Sequence, residues 1–288
     1  MSSRVETVAM EKTATNSHWA LWRRQIASIL RLEIRKNFTG KRSILIYLLA
    51  LLPVLILVGI TTLDDGKISA ENFGEVNVDF ANLYEGMILR TVVFFGCAWI
   101  FMNLFRGEVV DRSLHYYFLS PVKREVLVAG KYISGLVTSL VLFVTMTALC
   151  ILCIYVPLGY SGAMAQLFDG PGLNQVSTYL GITVLACIGY GAVFLFVGLF
   201  FRNPIIPAII LYGWEFINFL LPPMLKKLSM IHYLHSLTPI PIPEGPFAIV
   251  SEPTSAWLTV PGLILMTIAV LVMASVRIRR MEIKYGGD

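Results

Sequence analysis

Few residues of this chain combine a reactive type with a setting in which chemistry could follow. Glu215 stands inside an apolar run, Ile205–Leu221. An acid near the bilayer centre costs about 2.5–3.5 kcal/mol on insertion scales, so its carboxylate must face protein or water. It reads either as a substrate or cation site on a polar path, or as a structural acid that pairs with a base or stays protonated by burial. Arg90 lies a few residues inside a second apolar run, Met87–Phe105, near enough to one end for its guanidinium to snorkel outward. Pairing of Arg90 with Glu215 is open. Together they form the possible intramembrane polar site.

Other chemical signals are weaker. Cys150 and Cys153 have the spacing of a redox or metal pair but no His or acidic neighbours, and among apolar side chains Cys behaves as a small hydrophobe. His232 and His235 could share a helix face, yet two His without further ligands hold no metal, so none is expected. Gly40-Lys41-Arg42-Ser43 imitates the end of a phosphate loop, but Arg35 occupies the position of the required first glycine. Asp64-Asp65 is the one tight acidic pair and has no basic partner set. A catalytic assignment would need acids, His or a metal cluster converging at one surface, and none is expected.

The elements that must position these residues are membrane helices. Of 288 residues, 56% are hydrophobic and only 14% charged, against roughly a quarter charged in soluble proteins; the mean hydropathy is +0.72. So few charges could not cover a water-exposed surface. Soluble enzymes, disordered chains and disulfide-knitted secreted domains are excluded. Continuous rather than alternating apolar runs exclude an outer-membrane barrel. The expected fold is all-α, a polytopic helical membrane protein with six transmembrane helices. They lie near Ile44–Leu63, Met87–Phe105, Tyr132–Val156, Val176–Phe201, Ile205–Leu221 and Trp257–Val276. Each is close to the ~20 apolar residues that cross a bilayer. The fourth and fifth form a tight hairpin about Arg202-Asn203-Pro204.

Charge sets the orientation. With both termini inside, the segments 1–43, 106–131, 202–204 and 277–288 hold 19 of the 23 Lys and Arg, and the reverse orientation would place them across the membrane. The formal charge of +5 therefore describes contact with anionic lipid and the cytoplasm rather than nucleic acid. No cleavable signal peptide is expected, because the first apolar run begins after residue 43 and is long enough to span. Four parts follow: a disordered tail (1–17), an amphipathic interfacial helix (18–43), the six-span domain (44–276) and a cytoplasmic tail (277–288). In the helix, Trp19, Trp22, Ile26, Ile29, Leu30 and Ile34 gather on one side, and Arg24, Arg31 and Arg35 on the other. That arrangement suits the lipid interface. Arg23 and Glu33 intrude on the apolar edge.

Outside the membrane, Asp64, Asp65, Glu71, Glu75, Asp79 and Glu85 face Lys67 alone and read as a solvated acidic loop. Gly162–Gly172 reads as a weakly structured turn. Met224–Leu237 can form a helix at the outer surface or re-enter it. The inner loop between the second and third spans carries a short helix from Glu108 to Leu119, stopped by Pro121. Its Arg and aromatic side chains suit docking to a partner better than lipid insertion.

This loop, Glu108-x-x-x-x-Ser113-Leu114 followed by Leu119-Ser120-Pro121-Val122-Lys123-Arg124 and Gly130-Lys131, resembles the coupling-helix loop of permease subunits of ATP-binding-cassette transporters, of the type-2, six-span export family. The resemblance extends over most of the chain. It includes Tyr190–Pro204, Tyr212-Gly213-Trp214-Glu215 and Leu221-Pro222-Pro223 leading to Leu228–Leu237. It implies that the interfacial helix is the family's connecting helix and that this chain carries no ATP site. ATP and Mg then belong to a separate nucleotide-binding ATPase subunit. It implies docking contacts at Glu108, Arg112, Leu114, Leu119, Ser120, Pro121 and Lys123; His115, Tyr116 and Tyr117 join them on aromatic grounds. It also favours the structural reading of Glu215. The expected function is the transmembrane permease subunit of an ATP-driven exporter in a prokaryotic cytoplasmic membrane, not itself an enzyme, with the lipid bilayer and no nucleic acid among its partners, and paired as a homodimer or with a second permease. The alternatives are a polytopic membrane enzyme acting on lipids and a stand-alone secondary carrier.

Overall fold

A computed structural model describes residues 22, 24–40, 43–63, 68–69, 71–110, 124–201, 205–241 and 255–280, with the side chains at 106–110, 219 and 223 left aside. The described residues are helical and contain no strand. Helix α1 covers 24–39. Helix α2 is Ser43–Leu63. Helix α3, Phe73–Leu83, continues through a π-helical stretch, Tyr84–Val93, into α4, Phe94–Val110. Helix α5 is Arg124–Tyr155. A short 3₁₀ turn, helix α6 (Gly159–Met164) and a π turn follow. Helix α7 is Gly172–Gly198, α8 Ile205–Phe216, α9 Pro223–Lys226, α10 Met230–His235 and α11 Ala256–Arg279.

Among the described residues, five helical segments are long and apolar enough to cross a bilayer: α2, the continuous Phe73–Phe105 stretch, Arg124–Asp169, α7 and α11. The expected sixth, Ile205–Leu221, departs from the prediction. Its α-helix has 12 residues, about 18 Å at 1.5 Å per residue, short of the ~30 Å hydrocarbon core. It tightens into a 3₁₀ turn, Ile217–Leu220, and stops before Pro222-Pro223, which cannot continue a helix. The second expected span is longer than its apolar run. Phe73, Phe80, Ala81 and Tyr84 recur at helical spacing and are buried, so Glu75, Asp79 and Glu85 ride on a helix instead of an open acidic loop. Residues 159–169 are likewise helical, not a loose turn.

Helix α7 is the hub, packing against α4, α5 and α11, while α2 packs chiefly on α5. Lipid tails are as apolar as Leu, so the hydrophobic effect does little to join such helices; close packing does more. The fully buried Phe101 ring of α4 is wedged between two glycines. A Cβ at Gly135 of α5 would lie 2.7 Å from the ring, and one at Gly191 of α7 would lie 2.5 Å from it. Backbones therefore approach more closely here than any side chain would allow. A hydroxyl seam adds directional bonds. The Tyr84 hydroxyl reaches Tyr179 O and Thr183 Oγ1, both at 2.9 Å, and Thr183 Oγ1 meets Thr147 Oγ1 at 3.2 Å. This seam joins the π stretch, α7 and α5.

Candidate functional site

Polar side chains gather at two places. The first is the break after α8. An interrupted helix inside a bundle leaves its first backbone N–H groups unpartnered, and no water is present in hydrocarbon to accept them. Helix α10 begins deep in the bundle, where the Met230 thioether lies against Gly189 of α7; a Cβ there would be 2.9 Å from Sδ. Glu215, next to last in α8, meets this start. Its Oε1 accepts from the Met230 N–H at 3.0 Å; its Oε2 accepts from the Ile231 N–H at 2.9 Å and the Ser229 hydroxyl at 2.6 Å. The carboxylate also suits the positive end of the helix dipole.

The last turn of α10 is held by a second carboxylate. Glu85 Oε2 contacts His235 Nδ1 at 2.8 Å, and Glu85 Oε1 accepts from Arg90 Nη2 at the same distance. Arg90 is thus paired with Glu85 rather than with Glu215 or the lipid surface. One helical turn plus the π offset separates residues 85 and 90, which brings them together, whereas the Glu215 oxygens are already occupied by α10. Arg90 and Glu215 do line one small cavity of about 10 Å³ with Tyr190 and Tyr212. His232 is buried and touches Tyr233, while His235 reaches Glu85, so the two His do not converge. Among the described residues, no three of His, Cys, Asp and Glu come together as a metal site would require.

The second place lies at the roots of the loop between α4 and α5. Lys131 is fully buried. Its Nζ donates to Glu33 Oε1 of α1 at 2.8 Å and to Leu104 O of α4 at 2.7 Å, and it lies 5.2 Å from the Phe105 ring centre. Arg124, first in α5, donates from Nη1 to Ile278 O at 3.2 Å and Arg279 O at 2.9 Å, at the end of α11. Glu125 pairs with Arg279 there. An arginine near these final carbonyls complements the C-terminus of α11.

The loop itself lies outside the described residues. That covers Arg112, Leu114, His115, Tyr116, Tyr117, Leu119, Ser120, Pro121 and Lys123. Glu108 falls within α4, with its side chain left aside. Sequence reasoning missed the partner of Lys131, although the placement of Glu33 on the apolar edge of α1 was a signal: a carboxylate there needs a buried base. It also missed the Glu85–His235 contact, because 150 positions separate the two and Glu85 looked like part of a solvated loop.

A groove of about 310 Å³ runs between α2, α4 and α8, lined by Leu45, Leu49, Trp99, Met102, Ile205 and Ile209 among others. It is apolar throughout. The exposed faces of α2 and α8 beside it are also apolar, as a membrane setting requires.

No curated protein and no solved structure matches the chain. A protein-family model described as ABC-2 family transporter protein matches residues 29–218, from α1 through α8 and the 3₁₀ turn that follows it. That match covers well over half of the sequence and includes the buried pair, the loop and Glu215, and the all-helical multi-pass fold agrees with it: the chain belongs to the ABC-2 family of transporter proteins.

Proposed function

We propose that the chain is the transmembrane permease subunit of an ATP-driven exporter, docking a separate ATPase subunit through residues 106–127. The observation that carries this reading is the family match, whose range of 29–218 takes in part of the interfacial helix, the loop and the helices on both sides of it. The docking contacts are Glu108, Arg112, Leu114, His115, Tyr116, Tyr117, Leu119, Ser120, Pro121 and Lys123, with the aromatics and Arg as anchors. ATP and Mg act on the partner; this chain contributes no covalent chemistry.

Both termini lie in the cytoplasm, because the Lys and Arg excess falls on segments that share a side with them. The membrane is the prokaryotic cytoplasmic membrane. Two permease chains, identical or paired with a second type, enclose the path, since one bundle of this size packs its centre with side chains such as Phe94, Phe101, Phe143 and Phe194. Closure of the ATPase dimer displaces the loops, and the helices exchange inward- and outward-facing arrangements. Glu215 is a structural residue in this scheme, because all three of its bonds go to the start of α10.

The test is co-reconstitution in vesicles with a nucleotide-binding ATPase subunit from the same organism. Hydrolysis that rises when the permease is added, and loses that rise on Tyr116→Ala/Tyr117→Ala, supports the reading. Hydrolysis indifferent to the permease overturns it.

A further inference from the structure

Lys131 and Glu33 form a buried ion pair, with 0% and 4% of their side chains exposed. Burying two charges is costly, and well-packed apolar residues of similar volume often serve stability as well or better. What such a pair adds is direction: a short, charge-assisted bond that fixes one element on another. Here the elements are three. Glu33 belongs to α1, Leu104 to α4, six residues before its last, and Lys131 is the eighth residue of α5, so one ammonium ties α1 to both helices that flank residues 111–123.

The neighbouring contacts of α1 point the same way. Ile29 lies against Gly130, where a Cβ would be 3.2 Å from Ile29 Cγ2. Asn37 Nδ2 donates to Thr138 Oγ1 at 3.4 Å. Both partners are on α5. Helix α2, which follows α1, packs chiefly on α5 as well. At this end Arg124 and Glu125 link α5 to α11 rather than to α1, and the Glu125–Arg279 pair is 44% and 61% exposed; solvated pairs of that kind constrain little.

From this geometry we propose that Lys131 and Glu33 are positioning residues that make α1 and the two loop-flanking helices a single lever. A displacement imposed on the loop then carries α1, and α2 behind it, without changing the fit of α1 on α5. The proposal rests on the ATPase-docking reading above and adds the path by which the motion leaves the loop.

The Ile29–Gly130 contact supplies the test. An ideal Cβ at Gly130 lies 3.4 Å from Ile29 Cβ, close to the separation that a disulfide bridges. The full chain carrying Ile29→Cys/Gly130→Cys, with its four native cysteines replaced by Ala, is reconstituted with the ATPase subunit. If α1 and α5 move as one, the oxidised form stimulates ATP hydrolysis as well as the reduced form. Glu33→Leu/Lys131→Met should still bind the ATPase subunit but lose stimulation by about tenfold, a typical size for coupling between sites. The oxidised disulfide placed in that variant should restore stimulation, and reduction should remove it again. A purely structural role for the pair would not produce that redox-dependent rescue.

Oxidation that silences the otherwise wild-type protein would overturn the lever, since α1 would then need to move on α5. So would full stimulation by the reduced Glu33→Leu/Lys131→Met protein. Should that variant fail to fold, the disulfide in the wild-type background still decides. If the unmodified chain stimulates no ATPase subunit, the docking reading falls and the lever with it; if it does and the disulfide silences it, the lever alone falls.

Discussion

The Glu215 carboxylate accepts the Ser229 hydroxyl at 2.6 Å, joining the end of one short helix to the start of the next inside an apolar bundle. With the Met230 and Ile231 N–H groups it closes the break between α8 and α10. A membrane-buried acid thus finds its partners in two backbone donors and a hydroxyl rather than in a basic side chain.

Glu215→Gln should therefore lower stability. Glutamine offers one carbonyl oxygen, and its amide N–H₂ would face backbone donors. Hydrogen bonds to a charged group contribute about 1.5–3 kcal/mol each, so a loss of at least that order is expected. Thermal unfolding in lipid nanodiscs measures it. Unchanged stability together with abolished transport would instead place Glu215 on the translocation path.

Glu85→Ala should loosen the other end of α10. It removes the contact that holds His235 and leaves Arg90 without its carboxylate. The rate at which a water-soluble thiol reagent modifies a cysteine at Ser236 should rise relative to the same cysteine in the parent protein, because local opening of α10 becomes easier. Equal rates would show that Glu85 does not restrain this helix.

The glycine wedge around Phe101 makes a packing prediction. Gly191→Ala should destabilise by about 1–3 kcal/mol through overpacking, and Phe101→Leu in the same chain should recover part of that loss. Gly181→Ala, also in α7 but with nothing within 4 Å of its added Cβ, should be near neutral. Equal effects at the two glycines would contradict the close approach of α4, α5 and α7.

Much of this architecture was legible because hydrocarbon imposes a simple demand. Runs such as Ile44–Leu63 and Trp257–Val276 read directly as α2 and α11, since an apolar stretch of that length has one stable form in a bilayer. The length of α8 was not legible. Ile205–Leu221 is apolar apart from Glu215 and Asn218, and composition does not reveal that the chain breaks where Glu215 can serve a second helix. The acidic stretch before Met87 misled for a related reason: Glu75 and Asp79 face outward while Phe73 and Phe80 pack inward, a helical alternation that net charge conceals. Partners far apart in sequence, such as Glu33 with Lys131, required the tertiary fold.

Docking can be examined residue by residue. A cysteine in place of Tyr117 should crosslink to the ATPase subunit with a yield that changes between nucleotide-free and ATP-bound states. A cysteine at Tyr160, exposed on α6 and on the opposite side of the membrane in the proposed orientation, should give no crosslink. Crosslinks from Tyr160 would reverse the orientation.

The most direct measurement is purification of the chain in mild detergent from cells that also express a nucleotide-binding ATPase subunit of the same organism. The expected result is a complex in which the two subunits are present in equal amounts and ATP hydrolysis exceeds that of the isolated ATPase, with both features lost in Tyr116→Ala/Tyr117→Ala. A chain that purifies alone and transports in vesicles with no nucleotide-binding protein present would contradict the proposed function at its root.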